Sequence, residues 1–148
     1  MKTFLAFAAF LITFALIACN KDKFQTKPRI EIKDYNLKEI GPGQSLIIRL
    51  NYYDKEGDIS QALMMSRKIR LNNFPPISSL DYKADSLDGP LPAFPQKDEG
   101  EITFTLPYIT LDESQTQNDT VQFRFAITDN AGNTSDTITS EIIVARMP

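Results

Sequence analysis

Histidine and tryptophan are both missing from this 148-residue chain, and cysteine occurs once. Without histidine there is no imidazole to serve as general base near neutral pH and none to ligate a transition metal. Histidine-based triads and the usual zinc sites are therefore excluded. A single cysteine cannot close an internal disulfide, so the fold must hold without cross-links. Positive charge is also in deficit: 16 Lys and Arg stand against 19 Asp and Glu, a formal charge of −3. With no basic tract, this balance argues against nucleic acid and against electrostatic docking onto anionic lipid. No Gly-rich phosphate loop, zinc-ligand spacing or EF-hand spacing occurs.

What is present begins with an apolar N-terminal stretch. Met1-Lys2-Thr3 forms a short positive region, and Phe4 to Ala18 is apolar except for Thr13. The polar run Asn20-Lys21-Asp22-Lys23 follows directly after Cys19. A membrane span needs ~20 apolar residues, so this stretch reads as a signal peptide over residues 1–18. Residues 19–27 then read as a flexible tether, in which the eight residues from Asn20 to Lys27 reach at most about 26 Å. Residues 28–148 have the size of one domain.

After Pro28 the pattern has period two, the signature of half-buried strands. Ile30 and Ile32 alternate with Glu31 and Lys33, and Leu46, Ile48, Leu50 and Tyr52 alternate with polar or outward residues up to Tyr53. Met65, Ile69 and Leu71 are expected to face inward on a third strand, although Arg67 falls on the same parity. Ile102, Phe104 and Leu106 mark another strand ended by Pro107, and Val121, Phe123, Phe125 and Ile127 mark the cleanest one. Asp129-Asn130-Ala131-Gly132-Asn133 is a turn into a last strand, Ile138 to Ala145. Residues 73–100 carry five prolines and read as a long connection with a short edge strand near 79–83. About seven short strands with Gly, Pro and Asp-Asn turns predict an all-β, immunoglobulin-like antiparallel β-sandwich.

The stretch Leu16-Ile17-Ala18-Cys19 resembles a bacterial lipobox. Together with Tyr53 to Ile59, Phe125 to Ser135 and the terminal apolar strand, it gives the chain a resemblance to the small single-domain Ig-like lipoproteins of Bacteroidota. That resemblance implies acylation of Cys19, cleavage after Ala18 and a membrane anchor made by palmitate-type chains. Two or more acyl chains, at roughly 0.8 kcal/mol per buried CH₂, hold a protein stably at a membrane. Asn20 in place of the aspartate that marks inner-membrane retention points to the outer membrane, on its periplasmic or surface face. Asp85-Ser86-Leu87, Asp119-Thr120-Val121 and Asp136-Thr137-Ile138 resemble the O-glycosylation sequon of the same phylum, which makes Ser86, Thr120 and Thr137 candidate glycan carriers.

For chemistry, Asp54, Glu56 and Asp58 alternate in one loop, and Asp129, Asn130 and Asn133 lie in another. In an immunoglobulin-like topology both loops sit at one pole, where six oxygen-bearing side chains form a candidate Ca²⁺ site. The same residues are also ordinary turn formers. A carboxylate pair such as Asp98 and Glu101 could serve glycoside hydrolysis, but acids near turns are common and a small sandwich has little room for a deep cleft. Catalysis is not expected. Partner binding is, through Tyr53 on the outward parity and through Phe74 and Phe94 in the Pro-rich connection. The expectation is a tethered, non-catalytic binding or assembly module of the cell envelope, with a glycan-binding lipoprotein or a Ca²⁺-stabilised accessory as the alternatives. Its Pro-rich connection is expected at the pole away from the tether.

Overall fold

The structure is a computed structural model that describes residues 26–72, 85–114 and 116–148. Cys19 with its signal peptide and most of the tether, Phe74, and the edge strand expected near 79–83 lie outside the described residues.

Two sheets face each other. The first has the order β1-β3-β6, with β1 at Arg29–Tyr35, β3 at Ser45–Tyr53 and β6 at Glu99–Pro107. The second joins β2 (Glu39–Ile40), β9 (Ile143–Ala145), β7 (Asp119–Thr128), β4 (Leu63–Arg70) and β5 (Gly89–Pro90), with β8 (Ile138–Thr139) also on β7. One turn of 3₁₀ helix, Tyr108–Thr110, follows β6. The opening segment is divided between the sheets: β1 pairs with β3 in one, and β2 crosses to the other beside β9. This is an immunoglobulin-like β-sandwich. The β2–β9 pair is parallel, and among the described residues every other strand pair is antiparallel.

The alternation on β3 and β7 places its apolar set between the sheets. Leu46, Ile48, Leu50, Phe123 and Phe125 are fully buried. Phe104 of β6 meets Phe123 and Phe125 edge-on at 5.6 and 5.0 Å between centroids. Such ring pairs add ~0.5–1.5 kcal/mol beyond the ~1.5–3 kcal/mol that each large side chain gains by leaving water.

Three expectations are corrected. On β4 the inward residues are Met64, Ser66 and Lys68, opposite Ile127, Phe125 and Phe123, whereas Leu71 is exposed and Met65 and Ile69 are only half-buried. Polar residues occupy the inner face because each has a partner: Ser66 Oγ donates to Leu87 O at 2.7 Å, and Lys68 Nζ to the Glu113 carboxylate. The last strand is broken into β8 and β9 at Ser140, whose Oγ accepts the Phe123 N–H at 2.9 Å in place of a backbone carbonyl. Thirdly, residues 91–98 of the Pro-rich connection do not run at the far pole. They are fastened at the pole where β1 begins, through Leu91 N–H to Ala62 O (2.9 Å), Phe94 N–H to Ser60 Oγ (3.0 Å) and Asp54 N–H to Asp98 O (2.7 Å). A short edge strand is present in that connection at β5.

The registers Arg29 with Tyr53, Tyr53 with Glu99 and Leu63 with Thr128 bring the start of β1, the β3–β4 loop and the β7–β8 loop to one end of the sandwich. That end carries the loop acids.

Candidate functional site at the acidic pole

β3 ends at Tyr53, and the chain reverses through Gly57, whose φ of +66° suits glycine. A Cβ there would also lie 3.2 Å from the Lys97 backbone. This tight reversal lets the Asp58 N–H donate back to Asp54 Oδ2 at 2.9 Å. On the other side, Thr128 bridges to Thr134 and encloses a five-residue loop with Gly132 at φ +90°. There Asn133 orients Asp129, donating its N–H to Oδ1 at 2.7 Å and its Nδ2 to Oδ2 at 3.0 Å. Asn130 ties the two loops together, its Nδ2 donating to Ser60 O at 2.8 Å and its N–H to Asp58 O at 3.4 Å.

The result is a set of three carboxylates. One oxygen each from Asp54, Asp58 and Asp129 lies within 4.8 Å of the others. Asp54 and Asp129 are buried and Asp58 is half-buried. None of the ion pairs among the described residues reaches any of the three. Burial first, then the nearby Asp58 side chain and the charge of Asp129, push the Asp54 carboxyl up to about 6, against the lowering effect of the Asp58 N–H. Burial and then the charges of Asp54 and Asp98 also raise the neighbouring Tyr52 phenol. A proton or a hard cation relieves such a cluster, and its oxygens suit Ca²⁺.

Of the six residues expected there, Asp54, Asp58 and Asp129 come together. Glu56 is exposed and stands outside the set. Asn130 and Asn133 fasten and orient the loops through their amide nitrogens. Asp98 adjoins the site, accepting the Asp54 N–H on its backbone carbonyl, and Glu101 is held by Lys33 at 2.6 Å on the outer face.

The aromatic candidates are placed differently. The Tyr53 ring lies under the Arg29 guanidinium, 4.3 Å from its centroid, and its hydroxyl donates to Glu31 at 2.8 Å. Phe94 packs against the core, 6.0 Å from the Tyr52 ring. Tyr35 is not visible from strand parity. A register shift between Ile32 and Asp34 changes the phase of β1, and Tyr35 then lines an open groove of about 670 Å³ with Leu37, Lys38, Thr139 and Glu141. Its hydroxyl accepts the Glu141 N–H at 2.9 Å, and Lys38 Nζ sits 5.4 Å from the ring centroid and 2.6 Å from Glu141. A Pro- or Gly-free bulge leaves no local mark in sequence.

Ser86 and Thr137 are exposed, and Thr120 is half-buried on β7. Each neighbouring aspartate has a structural contact: Asp85 pairs with Arg70, Asp119 accepts the Glu113 and Ser114 N–H groups at 2.6 and 2.8 Å, and Asp136 meets Lys27 at 2.6 Å.

Compared with known protein families and with curated proteins, the sequence matches none. Similar solved structures include a sporulation control protein from Bacillus subtilis, at 11% identity and TM-score 0.41, covering 79% of this chain and 49% of that one. A cohesin module of a glycoside hydrolase from Clostridium perfringens has 11% identity and TM-score 0.43, over 83% of this chain and 98% of the module. A β-glucosidase from Listeria innocua has 15% identity and TM-score 0.38, over 78% of this chain and 16% of the enzyme. This chain thus spans about half of the first and a small part of the third. With TM-scores this low, the strand order described above is the ground for the fold.

Proposed function

We propose that the chain is a lipid-anchored protein of the outer membrane whose immunoglobulin-like sandwich is a non-catalytic recognition or assembly module. The observation that carries this reading is the open groove along β1 and the β8–β9 junction. It offers one aromatic ring, Tyr35, between paired charges, with an apolar residue, Leu37, 40% exposed at its side. A shallow surface of this kind suits contact with another macromolecule, where an aromatic anchor inside a polar rim supplies much of the affinity. The lipobox-like Leu16-Ile17-Ala18-Cys19 supports the anchor. Because Arg29 starts β1 at the acidic pole, the tether joins the domain at that pole.

Cross-linking in native membranes followed by affinity recovery of the full-length protein tests the reading. A discrete envelope protein should be recovered, and Tyr35→Ala or Lys38→Glu should lower its yield at least tenfold. Recovery of no protein, with binding on a glycan array instead, would overturn assembly in favour of glycan recognition. Incorporation of a clickable palmitate analogue, lost in Cys19→Ala together with membrane fractionation, tests the anchor; unchanged fractionation of that variant would reject it.

A further inference from the structure

We infer that Asp54, Asp58 and Asp129 form a Ca²⁺ site that fastens the β3–β4 loop to the β7–β8 loop at the end of the domain where the tether joins. Acidic side chains gathered in turns are common, so the inference rests on a second observation. Among the described residues, the two buried side-chain oxygens without any hydrogen-bond partner are Asp54 Oδ1 and Asp58 Oδ1, and both belong to this one cluster. Asp54 is only 1% exposed, so its carboxylate lies out of contact with bulk solvent. A buried polar atom without a partner costs free energy, and two of them in one set of converging carboxylates point to a shared cationic ligand rather than to two separate faults.

Two other buried acids among the described residues are satisfied in another way. Glu113 has Lys68 and Arg70, and Asp119 has two backbone N–H donors. At the acidic pole the hydrogen bonds leave the unpartnered oxygens free while fixing their neighbours. The Asp58 N–H holds Asp54 by Oδ2, and Asn133 holds Asp129. The loops are therefore positioned before any ion arrives. Three carboxylates and completing water oxygens match a hard cation, and Ca²⁺, with its tolerance of irregular geometry, fits two loops better than Mg²⁺ with its strict octahedron. This goes beyond the recognition role proposed above and does not depend on it.

The test uses the full-length protein in detergent, stripped with chelator, titrated calorimetrically with CaCl₂ and melted with and without it. One Ca²⁺ per chain is expected, with a melting temperature about 5–10 °C higher at a hundredfold excess over Kd. Asp54→Asn and Asp129→Asn should each lose binding at least tenfold. Glu56→Gln, which alters an exposed acid of the same loop, should bind as the parent does. If a variant does not fold, the chelated parent decides alone: no heat and an unchanged melting temperature at millimolar Ca²⁺ would overturn the site. Equal affinity for Mg²⁺ would overturn the Ca²⁺ assignment, and loss of binding in Glu56→Gln would overturn the residue assignment.

Discussion

Lys68 and Glu113 form an ion pair inside the sandwich, between side chains that are 1% and 7% exposed and 45 residues apart in sequence. Arg70 grips the same carboxylate through Nε and through Nη2, the latter at 2.9 Å, so the segment after β6 is clamped onto the inner face of β4. Removing one partner leaves a desolvated charge with no counterion. Glu113→Ala should cost ~3–5 kcal/mol in urea unfolding, while Lys68→Met combined with Glu113→Leu should recover most of that loss.

The same pair sets an acid limit. Burial alone would raise the Glu113 carboxyl, but hydrogen bonds and charges from Arg70 and Lys68 outweigh it and hold the group below its ordinary 4.5. Asp85, which pairs with Arg70, and Asp119, which accepts the Glu113 N–H, are the other acids facing this network. A depressed folded value means the stabilisation is complete above the ordinary glutamate range and is lost as pH falls through the folded value. Urea midpoints should be level above pH 5 with respect to this group and fall below pH 4.5, and Glu113→Gln should flatten that fall. A parent-like slope in the variant would remove Glu113 as its source.

Gly100 stands opposite Tyr52 on β3, and a Cβ there would lie 2.7 Å from the ring. Tyr52 is 3% exposed and packs against Phe94, so it has no open space to enter. Gly100→Ala should therefore destabilise by about 1–3 kcal/mol, as overpacked cores do, and Tyr52→Leu should relieve part of the cost in the double variant. A neutral Gly100→Ala would mean that the ring yields.

How far sequence could be read follows from which forces act locally. Strands β3, β6 and β7 alternate apolar and polar residues because each buries one face, and their positions and parity were legible. The parity of β4 was not, because Lys68 is accepted inside through Glu113 above all, with Thr110 O and Asp85 also in reach, partners that no local window contains. Tyr35 was hidden by the phase shift at the β1 bulge. At the acidic pole, Asp54, Asp58 and Asp129 could be grouped from turn chemistry and topology. The separation of Glu56 from them depends on the reversal at Gly57, and the donor role of Asn133 depends on amide orientation; neither is a property of residue type alone.

Ser140 and Ser135 complete the β7 ladder with side chains in the place of backbone carbonyls. Ser140 Oγ accepts the Phe123 N–H at 2.9 Å, and Ser135 Oγ accepts the Ile127 N–H at 3.0 Å, both in the buried interior. Alanine at either position removes an acceptor and leaves a core amide unpaired, a loss of ~1–3 kcal/mol each. Hydrogen exchange should speed up at the Phe123 amide in Ser140→Ala and at the Ile127 amide in Ser135→Ala, each with little change at the other. The two amides are four residues apart on one strand, about 14 Å, so the stability losses should add to within ~0.5 kcal/mol. A double variant no less stable than the weaker single one would show instead that the β7–β8 hairpin opens as a unit, and that one serine already releases it.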